Sequence, residues 1–329
     1  MKNIAIFYIT NNARNIAYKI YNNIDCDIYD KDALKDIHKY FYDYKTLVFI
    51  MATGIVVRKI SSLIKSKETD PAVIVCDELG NFVISLLSGH IGGANEMTKI
   101  ISNIVNGIPV ITTSTDLNNK IAFDVFAKKN NILIKNIENM KYISSDIINN
   151  KNIGLFSEID ILGKIPNYIL KNKYCDSNVF ITSKKNIFNL NKRRDVILIP
   201  QQYIIGIGCK KNTSFENIKF AVYNFLDKRD IDILSIKLFV SIDLKKNEKG
   251  LIDFCNSINK NLITYSSEEL KNIEGNFSDS EFVLNVTGVS NVCERSIICY
   301  NKNTSIIVNK TVYSGITLAL GKLDIIYKI

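Results

Sequence analysis

Short apolar runs of strand length alternate with helically spaced segments through the first third of the chain, and few folds accept that alternation. "NIAIFYIT", "KTLVFIM", "PAVIVCD" and "FVISLL" are nearly unbroken hydrophobic stretches. Strands read this way when both faces of their sheet are covered. Between them, "ARNIAYKIYNN", "IVVRKISSLIKSK" and "ANEMTKIISNIVNG" carry apolar residues at the three-and-four spacing of amphipathic helices. The prediction is an α/β fold that opens with a doubly wound, mostly parallel, Rossmann-like sheet over residues 1–115. "DELGN" is too short for a helix and reads as a turn between two strands, and "IPVITT" is the last strand of the region.

From 116 to 195 the pattern weakens to a small α/β middle module. "FDVFAKKNN" and "KYISSDIINNK" look helical, "NIGLFSEI" and "VFITS" look like short strands, and "NLNKRRD" reads as a linker. A C-terminal α/β domain with a mixed sheet is expected over 196–329. "YIIGIG" is a strand running into the helix "FENIKFAVYNFL", with Thr213 or Ser214 as its cap and Glu216 in its first turn. "NLITYS" reads as a strand, "EFVLNVTGVS" as a strand and loop, and "NVCERSIICY" as a helix. "SIIVNKTVYSGITLALGKLDIIYK" supplies two or three closing strands.

Composition removes several function classes. No run reaches the ~18 apolar residues of a transmembrane helix, and the opening "MKNIAIFYITNNARN" reads as a strand and not a signal peptide. Seven cysteines at 26, 76, 175, 209, 255, 293 and 299 have no C-x-x-C spacing, which argues against a disulfide framework or a structural zinc site and for a reducing cytoplasm. The net charge of +9 fits either a lysine-rich surface or attraction to an anionic ligand. Basic tracts are only two or three residues long, so nucleic acid is not indicated.

Ligands of open α/β sheets bind beyond the carboxyl ends of the strands. Four loops are assigned to that position: "MATGIVVR" (51–58), "LLSGHIGGANE" (86–96), "TTSTD" (112–116) and "GIGCKKNTS" (206–214). "TGVSNVCE" (287–294) is read as a fifth, of strand–glycine–helix type. The second of these places Gly89, Gly92 and Gly93 around His90, one of two histidines in the chain. Glycines let backbone approach a ligand, the amides of the following helix favour negative charge, and a histidine titrates near neutral pH. The alternative is a tight turn whose histidine is merely hydrogen-bonded. In "GIGCKKNTS", Lys210 and Lys211 flank an incomplete glycine pattern, so an anion-facing turn and solvated lysines both remain open. Cys209 and Cys293 lie near helix starts, and packed unreactive thiols are the simpler reading. Asp77 and Glu78 fit an acid/base pair or a hairpin turn. His38 is read as a surface residue.

In order and spacing, "ATGIVVRKI", "KETDPAVIVCDELGNFVISLLSGHIGGANEMTKII", "GIGCKKNTSFENI" and "VTGVSNVCERS" resemble the CbiG family of cobalamin-biosynthesis proteins. The likeness spans the chain, and its C-terminal part is similar to the CobE-type proteins. Arg295, after "VCE", departs from the small residue or proline expected there. The resemblance implies cobalt-precorrin-5A hydrolase activity: a hydrolase opens the ring A δ-lactone of a cobalt corrinoid with water and, by C–C cleavage, releases acetaldehyde to give cobalt-precorrin-5B. On that reading His90 is the general base, the amides of Gly92 and Gly93 are oxyanion donors, and Glu96 orients His90 or shuttles a proton, with Glu96 or Asp116 the next candidate base. The expected substrate contacts are Thr53, Gly54, Arg58, Ser88, Gly89 and Asn95, and in the C-terminal part Gly206, Gly208, Cys209, Thr213, Gly288 and Ser290. The implied partners are the corrinoid and neighbouring methyltransferases of an anaerobic pathway, with no membrane and no nucleic acid. No protein-bound metal or cofactor is implied, because the substrate carries the cobalt. A non-catalytic corrinoid carrier is the alternative function. A nucleotide-dependent enzyme is disfavoured by the missing G-x-G-x-x-G.

Overall fold

The computed structural model describes residues 2–66, 69–90, 92–113 and 120–329. They fall into two compact units, 1–125 and 126–329.

In the first unit, strands β1 (Lys2–Tyr8), β2 (Asp27–Tyr29), β3 (Tyr44–Ile50), β4 (Ala72–Cys76), β5 (Phe82–Leu87) and β6 (Ile108–Val110) form one sheet in the order β2-β1-β3-β4-β5-β6. Successive residues of a strand point to opposite faces, and both faces here are covered. Helices α1 (Asn11–Tyr21) and α4 (Ala94–Val105) bury Ala13, Ala17, Ile101 and Val105 against Ile6, Val48 and Ile74. Helices α2 (Ile37–Asp43) and α3 (Thr53–Ile60) bury Phe41 and Val56 against Phe7, Leu47 and Val73 on the other side. This double burial is why the strands read as continuous apolar runs.

One pairing breaks the parallel pattern. β5 runs antiparallel to β4, with Val73 opposite Leu87 and Cys76 opposite Val83. β6 then runs parallel to β5. The turn between β4 and β5 is built by Asp77, whose carboxylate accepts from the amides of Leu79 at 2.9 Å and Phe82 at 2.5 Å. Glu78 accepts from the Thr10 hydroxyl at 2.8 Å. Asp77 is therefore a turn residue, and neither carboxylate forms an acid/base pair with the other.

Helix α5 (Phe123–Lys129) carries the chain across the boundary, and the second unit continues through β7 (Leu133–Ile134), β8 (Ile153–Ser157), β9 (Ile161–Leu162), β10 (Ile169–Lys171), β11 (Asn178–Ile181) and β12 (Val196–Ile199), with helix α6 (Met140–Ile148). A sheet of order β10-β8-β11-β12-β7 results, with β7 the antiparallel edge. Val196–Ile199 pairs here, with β11, and not with the strands that follow it.

The remaining strands are β13 (Tyr203–Cys209), β14 (Ile236–Ile242), β15 (Asn261–Tyr265), β16 (Ser305–Tyr313), β17 (Ile316–Lys322) and β18 (Tyr327–Lys328). A mixed sheet of order β15-β14-β13-β17-β16 forms, parallel on one side of β13 and antiparallel on the other. β18 pairs with β9. Helices α7 (Phe215–Asp227) and α8 (Lys249–Ser257) pack Val222, Phe225 and Phe254 on one face of the mixed sheet. Ser214 caps α7, accepting from the Asn217 amide at 3.3 Å. β14 was not among the predicted strands.

Three shorter helices follow: α9 (Ser267–Lys271), α10 (Glu281–Thr287) and α11 (Cys293–Tyr300), the last covering the opposite face of the mixed sheet through Cys293 and Ile297. α10 corrects the strand expected at "EFVLNVTGVS". Its cap Ser280 accepts from the Val283 amide, Glu281 sits in its first turn, and Gly288 ends it in the left-handed region at φ 75°. Val283 packs with Ile242, Leu270 and Val292 while Leu284 and Val286 stay exposed. A seven-residue segment with four apolar positions carries too little period to separate strand from helix. Among the described residues no helix is long and apolar enough to cross a membrane.

Candidate active site

The strand β5 ends at Leu87, and Ser88 turns the chain sharply by adopting φ 54°. The loop then curls back on itself. Ser88 and Gly89 carbonyls accept from the amides of Ala94 at 3.2 Å and Asn95 at 3.0 Å, so the first turn of α4 is capped by the loop's own backbone. Gly93 stands at the cap with φ 91°, a conformation L side chains rarely adopt. Gly92 is needed for a different reason: a Cβ there would lie 2.3 Å from the Ser88 Cβ and 2.5 Å from its carbonyl oxygen.

Asn95 locks the loop from beneath. Its side chain is buried, accepts from the Ser85 hydroxyl at 2.7 Å and donates to Thr113 Oγ1 at 3.0 Å. These bonds tie β5, α4 and the segment after β6 together. Gly89 lies directly over this amide, where a Cβ would meet Asn95 Oδ1 at 2.7 Å. The buried Ser88 hydroxyl has no hydrogen-bond partner among the described residues.

His90 lies over this frame. Its Nδ1 is 3.6 Å from Asp124 Oδ2, with the two side chains 18% and 11% exposed. That is slightly longer than a hydrogen bond but close enough for charge to act. Burial pushes the Asp124 carboxyl up; His90 and the Val125 amide, at 2.9 Å, outweigh it and hold the carboxyl below its ordinary value. Asp124 is thus a carboxylate at neutral pH, aimed at Nδ1, which favours the tautomer protonated on Nδ1 and makes Nε2 the basic nitrogen.

The residues expected at this site divide. His90, Ser88, Gly89, Gly92, Gly93 and Asn95 are brought together. The Gly93 amide cannot serve as an oxyanion donor as arranged, because it donates to the His90 carbonyl at 3.0 Å; no described residue accepts from the Gly92 amide. Glu96 is exposed on α4 with no ion pair or hydrogen bond among the described residues, and Asp124 stands beside His90 in its place. Ile91 and Asp116 lie outside the described residues.

Thr53, Gly54 and Arg58 are not part of this cluster. Their loop leaves the carboxyl end of β3, whereas the His90 loop follows a strand running the other way. The two loops therefore lie at opposite edges of the sheet, separated by the five residues of β4, about 17 Å of strand. There the Arg58 guanidinium folds over Gly54, with Nη1 3.6 Å from where a Cβ would sit.

The expected C-terminal contacts have structural duties of their own. Gly206 admits α11, since a Cβ would fall 2.0 Å from the Cys293 carbonyl oxygen. Gly288 is the α10 cap, the Ser290 hydroxyl donates to Asp279, and the Thr213 hydroxyl donates to the Lys210 carbonyl at 2.7 Å. Gly208 and Cys209 line a cavity of about 470 Å³. His38 is exposed, as read from the sequence.

Comparison with known proteins returns three adjoining family matches. The cobalamin synthesis G N-terminal model matches residues 35–116, the cobalamin biosynthesis central region 121–200, and the cobalamin synthesis G C-terminus 203–321. A cobalt-precorrin-5A hydrolase of Salmonella typhimurium is 34% identical over 77% of this chain and 75% of its own length. One from Priestia megaterium is 30% identical over 85% of this chain and 79% of its own. Among solved structures, a cobalamin biosynthesis protein G homolog from Sulfolobus solfataricus is 25% identical, covers 97% of both chains and has a TM-score of 0.43.

Proposed function

The chain belongs to the CbiG family of cobalamin-biosynthesis proteins, and from that premise we propose that it is a hydrolase of cobalt-precorrin-5A whose working base is His90. The observation that carries the site is the His90–Asp124 pair on a glycine loop at a helix start. Water, with its proton taken by His90 Nε2, adds to the lactone acyl carbon. The Gly92 amide faces the oxyanion, and the acyl C–O bond then breaks. The released alkoxide collapses to an aldehyde, breaking the C–C bond to the ring and leaving its electron pair in the conjugated macrocycle. One water enters and one acetaldehyde leaves, so the balance needs no further redox partner. Cobalt arrives inside the substrate. The seven free thiols suit a reducing cytoplasm, where pathway methyltransferases would supply and consume the corrinoid.

The test is incubation with the cobalt-lactone intermediate, with acetaldehyde trapped and the corrinoid product weighed. Binding without acetaldehyde release would leave a carrier instead. In the same assay Asp124→Asn should lower turnover roughly 10- to 100-fold, short of the ~10⁴ of a tightly hydrogen-bonded triad, because the Asp124 contact is long. A carboxyl with a depressed folded pKa contributes stability above its unfolded value of ~3.9 and loses it as pH falls through the lower folded value. The stability gap between wild type and Asp124→Asn should accordingly close below about pH 4. A gap that is independent of pH, with unchanged turnover, removes Asp124 from the site.

A further inference from the structure

The mixed sheet ends in a cavity that the hydrolytic steps above do not use. It lies beyond the carboxyl ends of β13 and β14, the position ligands take in open α/β sheets, with α10 and the β16–β17 hairpin along its sides. Its volume of about 470 Å³ falls in the range of ~300–1,000 Å³ common for small-molecule sites. Gly208 lets the Thr317 hydroxyl pack against the floor, since a Cβ there would sit 2.6 Å from Thr317 Oγ1.

Two properties of the lining point to one kind of ligand. The rim is apolar where solvent reaches it: Leu244, Val286 and Val312 are 60%, 61% and 64% exposed, yet all three line the cavity. Apolar side chains gathered in this way mark a binding surface. The charge is also of one sign. Lys210, Lys211, Lys245 and Lys310 line the cavity, and no aspartate or glutamate does. Lys310 is positioned by donating to the Ser278 carbonyl at 2.8 Å. Lys245 is 3.5 Å from Glu248, which stands outside the lining. Lys210 and Lys211 are exposed and pair with no carboxylate among the described residues. Cations unbalanced beside apolar walls focus a positive potential. Burial pushes the Cys293 thiol up to about 11 and raises that of Cys209 as well, so the thiols of this lining add no opposing charge. A wider groove of about 720 Å³ at the starts of α7 and α8 lacks this character, because Glu248 and Asp253 stand among its lysines.

We propose that this cavity seats the corrinoid by an apolar edge of the macrocycle, with Lys210, Lys211 and Lys310 holding its carboxylates. The proposal rests on the reading that the chain acts on a carboxylated corrinoid. The occupant has to be broad and apolar and also multiply anionic. A macrocycle rimmed with carboxylates has both properties, whereas a nucleotide brings phosphates with little apolar perimeter.

The test titrates the full chain with dicyanocobyrinic acid, a corrinoid heptacarboxylate, beside its uncharged heptamethyl ester. The acid should bind, with affinity falling as salt screens the lysines over ~10 Å at 0.1 M, and the ester should bind at least about ten-fold more weakly. Lys210→Gln with Lys211→Gln should weaken the acid about three- to ten-fold, the loss of two exposed charge contacts, and leave the ester unchanged. Val286→Asp with Val312→Asp should weaken both probes by about ten-fold or more, because carboxylates then face apolar surface. All four positions are exposed, so the variants should keep the wild-type melting temperature. Wild type that fails to bind the acid, or affinity unchanged in both variants, overturns the proposal. Turnover of cobalt-precorrin-5A is scored separately. Release of acetaldehyde at wild-type kcat/KM by both double variants sinks the cavity and spares the hydrolase. Binding lost in the variants, from a wild type that releases no acetaldehyde, sinks the hydrolase and upholds the cavity.

Discussion

His90→Asn lowers the single-turnover rate by about 10²- to 10⁴-fold, the contribution of a positioned general base, and leaves corrinoid affinity nearly intact. Asparagine keeps a donor that can face Asp124 and adds no bulk to a half-buried position, so the melting temperature should move little. The contrast between rate and stability is what decides the role. A structural histidine predicts a lower melting temperature and a normal rate per folded molecule. Single-turnover kinetics, a binding isotherm and a thermal melt on this one variant separate the two. A stable variant that releases acetaldehyde at the wild-type rate would pass the role of base to another group.

Gly92→Ala has the larger structural effect. The new methyl would lie 2.3 Å from the Ser88 Cβ and 2.5 Å from its carbonyl oxygen. Ser88 cannot move aside freely, because that carbonyl also accepts from the Ala94 amide at the start of α4. Overpacking a site that can yield costs ~1–3 kcal/mol, and this one must also give up a helix-capping bond, so about 3 kcal/mol or more is expected. The melting transition of the first unit should fall by roughly 10 °C, with loss of turnover. Gly54→Ala is the control: its added methyl meets nothing closer than the Arg58 guanidinium at 3.6 Å, and melting should be unchanged or slightly raised. A glycine needed only so that a ligand can approach its backbone predicts lost binding with a normal melt, so the thermal scan distinguishes the two explanations.

The fold was legible wherever burial was strong on both sides. β1, β3 and β4 announce themselves by continuous apolar runs, and their helices by period. The direction of β5 was implicit in "DELGN", a turn too short to allow a parallel return. Its consequence for loop placement needed the sheet order, because reversing one strand moves the His90 loop to the other edge from Thr53 and Arg58. α10 escaped because its seven residues are too few to show a helical period: Val283 is partly buried while Leu284 and Val286 are exposed, a pattern short enough to pass for a strand. In the site, His90 and its glycines were visible as a local motif. Asp124 was not, since its partnership with His90 is made by tertiary packing and leaves no spacing signal. Gly206 and Gly288 illustrate the reverse error: a glycine beside a strand end looks like ligand space, yet one admits a helix and the other caps one.

The reversal at β4–β5 also sets how substitutions in the first unit combine. Arg58 and His90 stand at opposite ends of the strands of one sheet, about 17 Å apart along β4. Perturbations so far apart usually sum to within ~0.3–0.5 kcal/mol, so each edge can be altered without renegotiating the other. Inside the glycine loop the opposite holds. Ser88, Gly92 and Ala94 meet through a single carbonyl, and changes there are expected to be strongly non-additive. The same hairpin thus divides one domain into a part that tolerates independent variation and a part whose residues can change only together.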